Sequence, residues 1–355
     1  MPVQELQFVR FYPKAASDDI WKPVIESFQS QFKERRPNDP VSPPQYIQRN
    51  LEMFEENLNF ELEFYLIYSE DTAFAGWMLI GFAPPDSEEY EERKHVCFTD
   101  FYVLPALRRQ GMGTQIMWQI VERASEQGVS LIEGNTEITD GHAFAKHLGA
   151  SVGLEMRINR AYMTGIDWEM VEDWRNSGQE RNPDTRIVCF DGLYSDNDAK
   201  LLEFCRVFSA ALKEMPIGEL EGMPTDITPK MLREEHEQSV QRGFTETYMV
   251  TVEADGRLSG VTGISYHPER GHVIGQGITG VPMAEQGRGL GKWLKAEMLI
   301  HIKERYPDSQ YIDTGNAESN APMRSINERV GFKLYSHNIF FKLAIEDVKK
   351  HLGMA

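Results

Sequence analysis

At 355 residues the chain is long enough for two domains that each bury a core, and its 41% hydrophobic and 26% charged residues are those of an ordinary globular protein with no run of about eighteen apolar residues to span a membrane. Against 37 basic side chains stand 55 acidic ones, a net charge of −18, which is a poor footprint for nucleic acid and draws cationic small molecules, although acidity also simply keeps a protein in solution. The three cysteines, Cys97, Cys189 and Cys205, show no metal-ligand or redox spacing, and the opening residues lack a signal-peptide layout, so the expectation is a cytoplasmic protein without metal.

Residues 5–12 read as a strand, and Asp18-Asp19 cap a helix to about Lys33, which the prolines at 37, 40, 43 and 44 end. A helix follows at 45–56, then strands at 62–69 and 73–82 around a turn at Glu70-Asp71, and a strand at 95–103. A helix at 113–127, a strand at 129–133 and a helix at 140–148 stopped by Gly149 complete the reading of the first half. The polar segment 175–184 has linker composition, which places the domains at 1–174 and 185–355. The second half repeats the order: strand 186–194, a Ser195 to Asp198 cap before a helix to about Lys213, helix 230–242, strands at 246–253, 258–266 and 272–281, helix 290–305, strand 310–314, helix 320–330 and strand 333–342. An amphipathic tail, 345–352, follows. Each half is expected to run β-α-α-β-β-β-loop-α-β-α-β, an α+β design with helices on the faces of a mixed sheet.

One loop occurs twice. Arg108-Arg109-Gln110-Gly111-Met112-Gly113 and Gln286-Gly287-Arg288-Gly289-Leu290-Gly291 share a long polar residue, two positions, Gly, one position, Gly, at a constant offset of 178. Each follows a β-like run and opens an apolar-periodic helix, so backbone N–H groups and a helix N-terminus can gather around an anion. A Walker A loop needs four residues between Gly and Gly-Lys; the second copy has three and the first has no Lys. A dinucleotide loop needs a third glycine where Ile116 and Leu294 stand.

On these residues the chain resembles the GCN5-related N-acetyltransferase (GNAT) superfamily, whose signature is [Gln/Arg]-x-x-Gly-x-[Gly/Ala] between a strand and a helix, in its tandem two-domain form. The run Asn316 to Met323 and Ile326 to Phe332 is similar to the closing Asn-rich segment of bacterial tandem members. The resemblance implies two GNAT domains and acetyl-CoA (coenzyme A) as cofactor. It places the pyrophosphate on Gln110, Gly111, Met112, Gly113 and Thr114 in one half and on Gly287, Gly289, Leu290, Gly291 and Lys292 in the other. Arg108, Arg109, Arg288 and Lys292 would add charged contacts, with Gln286 as the second template residue. Phe101, Val103, Thr279 and Val281 would pair with the pantetheine arm, and Asn316 and Asn320 would reach it, Asn320 having the rival role of helix N-cap.

Transfer to an amine needs a base, an oxyanion donor such as the Val103 or Val281 amide, and an outlet for the thiolate. Many relatives place a Tyr acid four residues before the Gly-Phe turn; Asn327 and Ala145 hold that place, and Asn327 is a candidate to bond the sulfur. Glu219 in the loop between the first two helices of the second half and Asp100 on the strand beside the first loop are the candidate bases, a buried strand carboxylate having a raised pKa. His142 and His147 read as surface or cap residues. The fuller closing motif makes the second half the expected catalytic half. The function expected is acetyl-CoA-dependent N-acetylation of a small-molecule amine; the alternative is a non-catalytic acyl-CoA sensor.

Overall fold

The computed structural model describes residues 5–56, 60–69, 73–87, 90–216, 218, 220 and 226–354. In chain order the first elements are β1 (Leu6–Arg10), α1 (Asp18–Arg35), α2 (Pro44–Glu52), β2 (Glu61–Ser69), β3 (Phe74–Phe82), α3 (Tyr90–Arg93), β4 (Val96–Val103), α4 (Met112–Glu126), β5 (Leu131–Thr136), α5 (Thr139–His147) and β6 (Ser151–Tyr162). Then come α6 (Trp168–Arg181), β7 (Arg186–Asp191), α7 (Asp198–Lys213), α8 (Pro229–Arg242), β8 (Thr245–Val252), β9 (Leu258–Tyr266), β10 (Val273–Gly280), α9 (Leu290–Arg305), β11 (Tyr311–Ala317), α10 (Ala321–Arg329), β12 (Lys333–Ala344) and α11 (Ile345–Leu352). Among the described residues no helix is long and apolar enough to cross a membrane.

Local chemistry sets these boundaries. Ser17 is the N-cap of α1, so Asp18 and Asp19 sit in its first turn, where negative charge meets the positive end of the helix dipole. Asn197 caps α7, its side chain accepting from the Ala199 and Lys200 amides. Helix α4 buries Met112, Ile116, Met117, Ile120, Val121 and Ala124, the spacing of one apolar face. Strand β3 is buried on both faces beyond its first residue, and its sequence is a near-continuous apolar run.

The described residues fold as two compact units: those within 5–155 with Leu220 and 338–354, and those within 156–218 with 226–337. In the first unit β1-β2-β3-β4 form an antiparallel series, β4 pairs parallel with β5, and β5 pairs antiparallel with the end of β12, Leu131↔Ala344 to Thr136↔Ile339. In the second unit β7-β8-β9-β10 repeat that series, β10 pairs parallel with β11, and β11 pairs antiparallel with the end of β6, Tyr311↔Tyr162 to Ala317↔Met156. The repeats therefore exchange closing strands: each sheet is completed by the last strand of the other half of the sequence. One core of the first unit packs α4 and α11 on the sheet through Ile116, Ile120, Ile132, Leu343 and Val348; another packs α1 and α2 through Trp21, Val24, Leu51 and Trp77. Each such fully buried side chain contributes about 1.5–3 kcal/mol.

Two features differ from the sequence reading. The stretch 175–184 is mostly helix, because Val171, Trp174 and Gly178 form a buried stripe at helical spacing within polar surroundings. Gly178 lets α6 lie against α9, since a Cβ there would stand 2.4 Å from Trp293. The expected split into 1–174, a linker 175–184 and 185–355 thus gives way to divisions at 155/156 and 337/338, along the strands β6 and β12. Strand β6 itself, polar at Glu155, Arg157 and Asn159, carries little alternation to announce it.

Candidate functional site

The two loops adopt one conformation. Gly111 is the left-handed N-cap of α4 at φ 85°, and Gly289 that of α9 at φ 87°. Two residues earlier Gly287 is also left-handed, φ 84°, and its counterpart Arg109 takes φ 61° despite its side chain, a strain of about 1–2 kcal/mol. The long polar residue of the template ties each loop to the strand before it. Arg108 Nε donates to the Val103 carbonyl at 3.0 Å, and Gln286 Nε2 donates to the Val281 carbonyl at 3.2 Å. The first amides of α4 and α9 lack intrahelical acceptors, as at every helix start, and the turned backbone directs them outward.

In the first unit this loop opens onto a cavity of about 410 Å³. The parallel pairing of β4 with β5 stops at Thr99↔Gly134, and the strands splay beyond it. Gly134 sits at that point because a Cβ would meet the Thr99 carbonyl at 2.9 Å. The cavity runs from the loop along Asp100, Phe101, Tyr102 and Val103 on β4, with Met117, Phe144 and Phe341 among its apolar walls, and reaches Gln31 and Arg35 on α1. Both sides of the gap between the strands thus share one space. Burial pushes the Asp100 carboxyl up to about 6, against the pull of the Arg35 charge and a hydrogen bond from the Phe101 amide.

Of the residues expected at the first site, Asp100, Phe101, Val103, Arg108, Arg109, Gly111, Met112, Gly113 and Thr114 line this cavity. So do Asn135, Ala145 and His147. Gln110 lies outside the lining and donates to the Ala106 carbonyl at 3.3 Å. Arg108 is already engaged: it pairs with Glu34 at 2.8 Å and Asp140 at 3.2 Å, and its guanidinium lies 5.2 Å from the Tyr102 ring centre. Ala145, at the place where the resemblance leads one to look for a Tyr acid, is buried and apolar. Gln31, Arg35 and Glu137 were not legible as site residues, because they lie far from β4 in sequence and in no motif. His142 Nε2 donates to the Thr136 carbonyl at 2.9 Å.

The second unit fills the corresponding place with polar groups. Between Gln276 and Thr279 the β9–β10 register shifts, a bulge that regular β4 lacks. Lys295, 1% exposed, replaces Met117 at the offset of 178; its Nζ donates to Gln276 Oε1 at 2.9 Å and lies 4.5 Å from the Phe332 ring centre. Gln276 in turn donates to Thr262 Oγ1 at 3.1 Å, and Thr262 and Thr279 share a 2.8 Å hydrogen bond. Burial pushes the Lys295 ammonium down to about 7. A lysine on the apolar stripe three and four residues before Met298 and Leu299 was the signal for this burial.

The other second-half candidates are tied up within that unit. Asn327 is buried and donates through Nδ2 to Asn316 Oδ1 at 2.8 Å, while its own Oδ1 has no partner. Asn320 is the N-cap of α10, accepting from the Met323 amide at 3.2 Å. Arg288 donates to Asn182, Thr185, Glu253 and Glu285. Burial works against the Glu253 carboxylate, yet hydrogen bonds from Arg288, Ser259 and Thr185 hold it at about 2. Asn182, just past α6, donates to the Arg288 carbonyl at 3.3 Å, so the end of α6 rests on the second loop. Val281 lies beside Gly291, Leu290 is buried, and Lys292 Nζ stands 5.7 Å from the Trp174 ring centre. Glu219 lies outside the described residues.

Residues 21–150 match the model of a family described as "Acetyltransferase (GNAT) family". No curated protein matches the chain. Among solved structures, a tandem GNAT protein from the clavulanic acid biosynthesis pathway is similar over 96% of this chain and 99% of its own, with 18% identity and a TM-score of 0.75. A GCN5-related N-acetyltransferase from Sphaerobacter thermophilus is similar over 96% of each chain, with 12% identity and a TM-score of 0.64. A GNAT-family acetyltransferase from Colwellia psychrerythraea is similar over 96% of this chain and 99% of its own, with 12% identity and a TM-score of 0.53.

Proposed function

We propose that the chain is an acyl-CoA-dependent N-acyltransferase, acetyl-CoA being the donor, whose working site is in the first unit; the match of residues 21–150 to the GNAT family model and the whole-chain likeness in fold to a tandem GNAT protein support this reading. The observation that carries this reading is the cavity that joins the first loop to Asp100 through the gap between β4 and β5. The residues fit the cofactor. The amides from Gly111 to Thr114 would hold its diphosphate, aided by the exposed Arg109, and the unpaired edge of β4 from Asp100 to Val103 would pair with its arm.

When bound, acetyl-CoA supplies an activated thioester carbonyl. Asp100, with a value near 6, is largely ionised at pH 7, able to hold a substrate ammonium and to take a proton from the attacking amine. Transfer to an amine would exchange the thioester C–S bond for a C–N bond, and Asp100 would take up the proton that the amine gives off. The Val103 backbone amide, on the edge of β4 that β5 leaves unpaired, is the candidate oxyanion donor. Ala145 offers no proton to the departing sulfur, so orientation of the amine in the cavity carries more of the rate.

The fuller Asn-rich motif of the second half pointed to catalysis there, but Asn316, Asn320 and Asn327 are engaged in caps and amide contacts, and α6 rests on the second loop. We therefore assign that loop a structural role. The same absence of Tyr at 145 and 327 supports the second reading, a sensor that binds acyl-CoA without turnover. Titration calorimetry with acetyl-CoA, followed by thiol detection across an amine panel, separates the two. One CoA per chain with turnover is expected, and a flat titration would sink both readings.

A further inference from the structure

The far end of the cavity says something about the acceptor. Gln31 and Arg35 are four residues apart on α1, hence on one stripe of the helix, and both line the cavity together with Asp100 and Glu137. The Arg35 charge lowers the value of Asp100, so a cation and a carboxylate act on the same space. Glu137 pairs closely with Arg36, at 2.7 Å, and stands 3.9 Å from Arg35. Arg35 Nε is shut off from solvent and has no hydrogen-bond partner. A sealed guanidinium N–H without an acceptor costs the fold unless a ligand supplies one.

A carboxylate is the group that matches this donor. It accepts the parallel N–H fork of a guanidinium, and the pairing is charge-assisted. Asp100 answers to the opposite end of the same molecule, an ammonium. With a net charge of −18 the protein repels anions in general, so an acid enters such a site only where a local cation is provided. Resting on the acyltransferase reading above, we propose that the amine acceptor also carries a carboxylate: it is an amino acid, its amine directed to Asp100 and its acid group to Arg35.

The test uses the full chain and matched triplets: lysine, lysinamide and cadaverine; arginine, argininamide and agmatine; serine, serinamide and ethanolamine. Phosphoethanolamine serves as the arm for a phosphate. CoA release is followed with acetyl-CoA, and binding to the CoA-saturated protein is followed by melting shift. The acid of at least one triplet is expected to exceed its amide and its amine in kcat/KM by roughly 10-fold or more. Compared at pH 8.5, where Asp100 stays ionised with or without its neighbour's charge, Arg35→Gln is expected to raise KM for the acid roughly 10-fold more than KM for the matching amine, and Arg35→Lys to recover part of that difference. Preference for amines or amides overturns the proposal, as does preference for phosphoethanolamine, or an equal loss on all three forms in Arg35→Gln. Acetyl-CoA bound with no acid shifting the melting curve at millimolar concentration also overturns it, while a flat acetyl-CoA titration removes the acyltransferase reading itself.

Discussion

The two glycine loops share a register, a backbone conformation and a side-chain tie to the preceding strand, yet what lies behind them differs. Behind the first loop Phe101, Met117 and Ala145 border an open cavity and Asp100 stands on its strand. Behind the second, Lys295 and Asn327 take the places of Met117 and Ala145, and Ile278 that of Asp100. The first loop is open at Gly111, whereas the second is touched by Asn182. The same phosphate-type turn can be kept for its geometry while the chemistry around it is exchanged for packing. A motif therefore marks a fold position, and the cavity next to it marks a site.

The severest challenge to this comparison is to cut the chain between 174 and 185. Phe341 and Leu343 on β12 are 8% and 7% exposed, line the first cavity, and reach it only from the far end of the sequence. Separate expression of 1–174 and 185–355 is expected to abolish cooperative melting and acetyl-CoA binding by 1–174, with recovery on co-expression. An independently folded, CoA-binding 1–174 would show that the strand exchange is dispensable.

Next in size is Asp100→Asn, expected to lower kcat/KM roughly 100-fold and to remove an acidic limb near pH 6, read from a pH–rate profile. A carboxyl raised on folding also has a stability signature. Between the unfolded value near 4 and about 6 the folded state holds the extra proton, so this group's contribution falls as pH rises through that window. Asp100→Asn should flatten that slope in denaturant melts, while Ile278→Ala in the second unit should leave the pH profile in place.

The loops themselves can be compared by Gly111→Val and Gly289→Val. Both introduce a β-branched residue at positive φ, so both strain the fold alike. Calorimetry is expected to show acetyl-CoA affinity falling roughly 30-fold, about 2 kcal/mol, for the first and staying within about 2-fold for the second. Equal losses would mean that both loops hold cofactor.

The smallest effect is expected at Lys295. Lys295→Met copies the first unit and should raise stability at pH 7 by about 1–3 kcal/mol, since a buried amine gives way to an apolar side chain of similar length. The folded value of about 7 lies below the unfolded value near 10.4, so between them the unfolded chain binds the extra proton. Wild-type stability therefore rises with pH across that interval, and the advantage of Lys295→Met should shrink toward pH 10. A constant difference would show that Lys295 keeps an ordinary charge.

Sequence alone determined what is local. The apolar spacing of Met112 to Ala124 made a helix, Asn197 and Asn320 made caps, and the repeated glycines made left-handed turns, because helical period and φ are properties of neighbouring residues. It also carried Asp100 as a strand carboxylate of raised pKa. Only the tertiary structure decided that β6 and β12 trade sheets, since either strand satisfies the edge it meets. It decided that α6, polar in composition, packs along α9, and that Arg35 faces Asp100 across 65 positions of sequence. Those outcomes depend on which distant surfaces fit and exclude water, and no short pattern of residues encodes that.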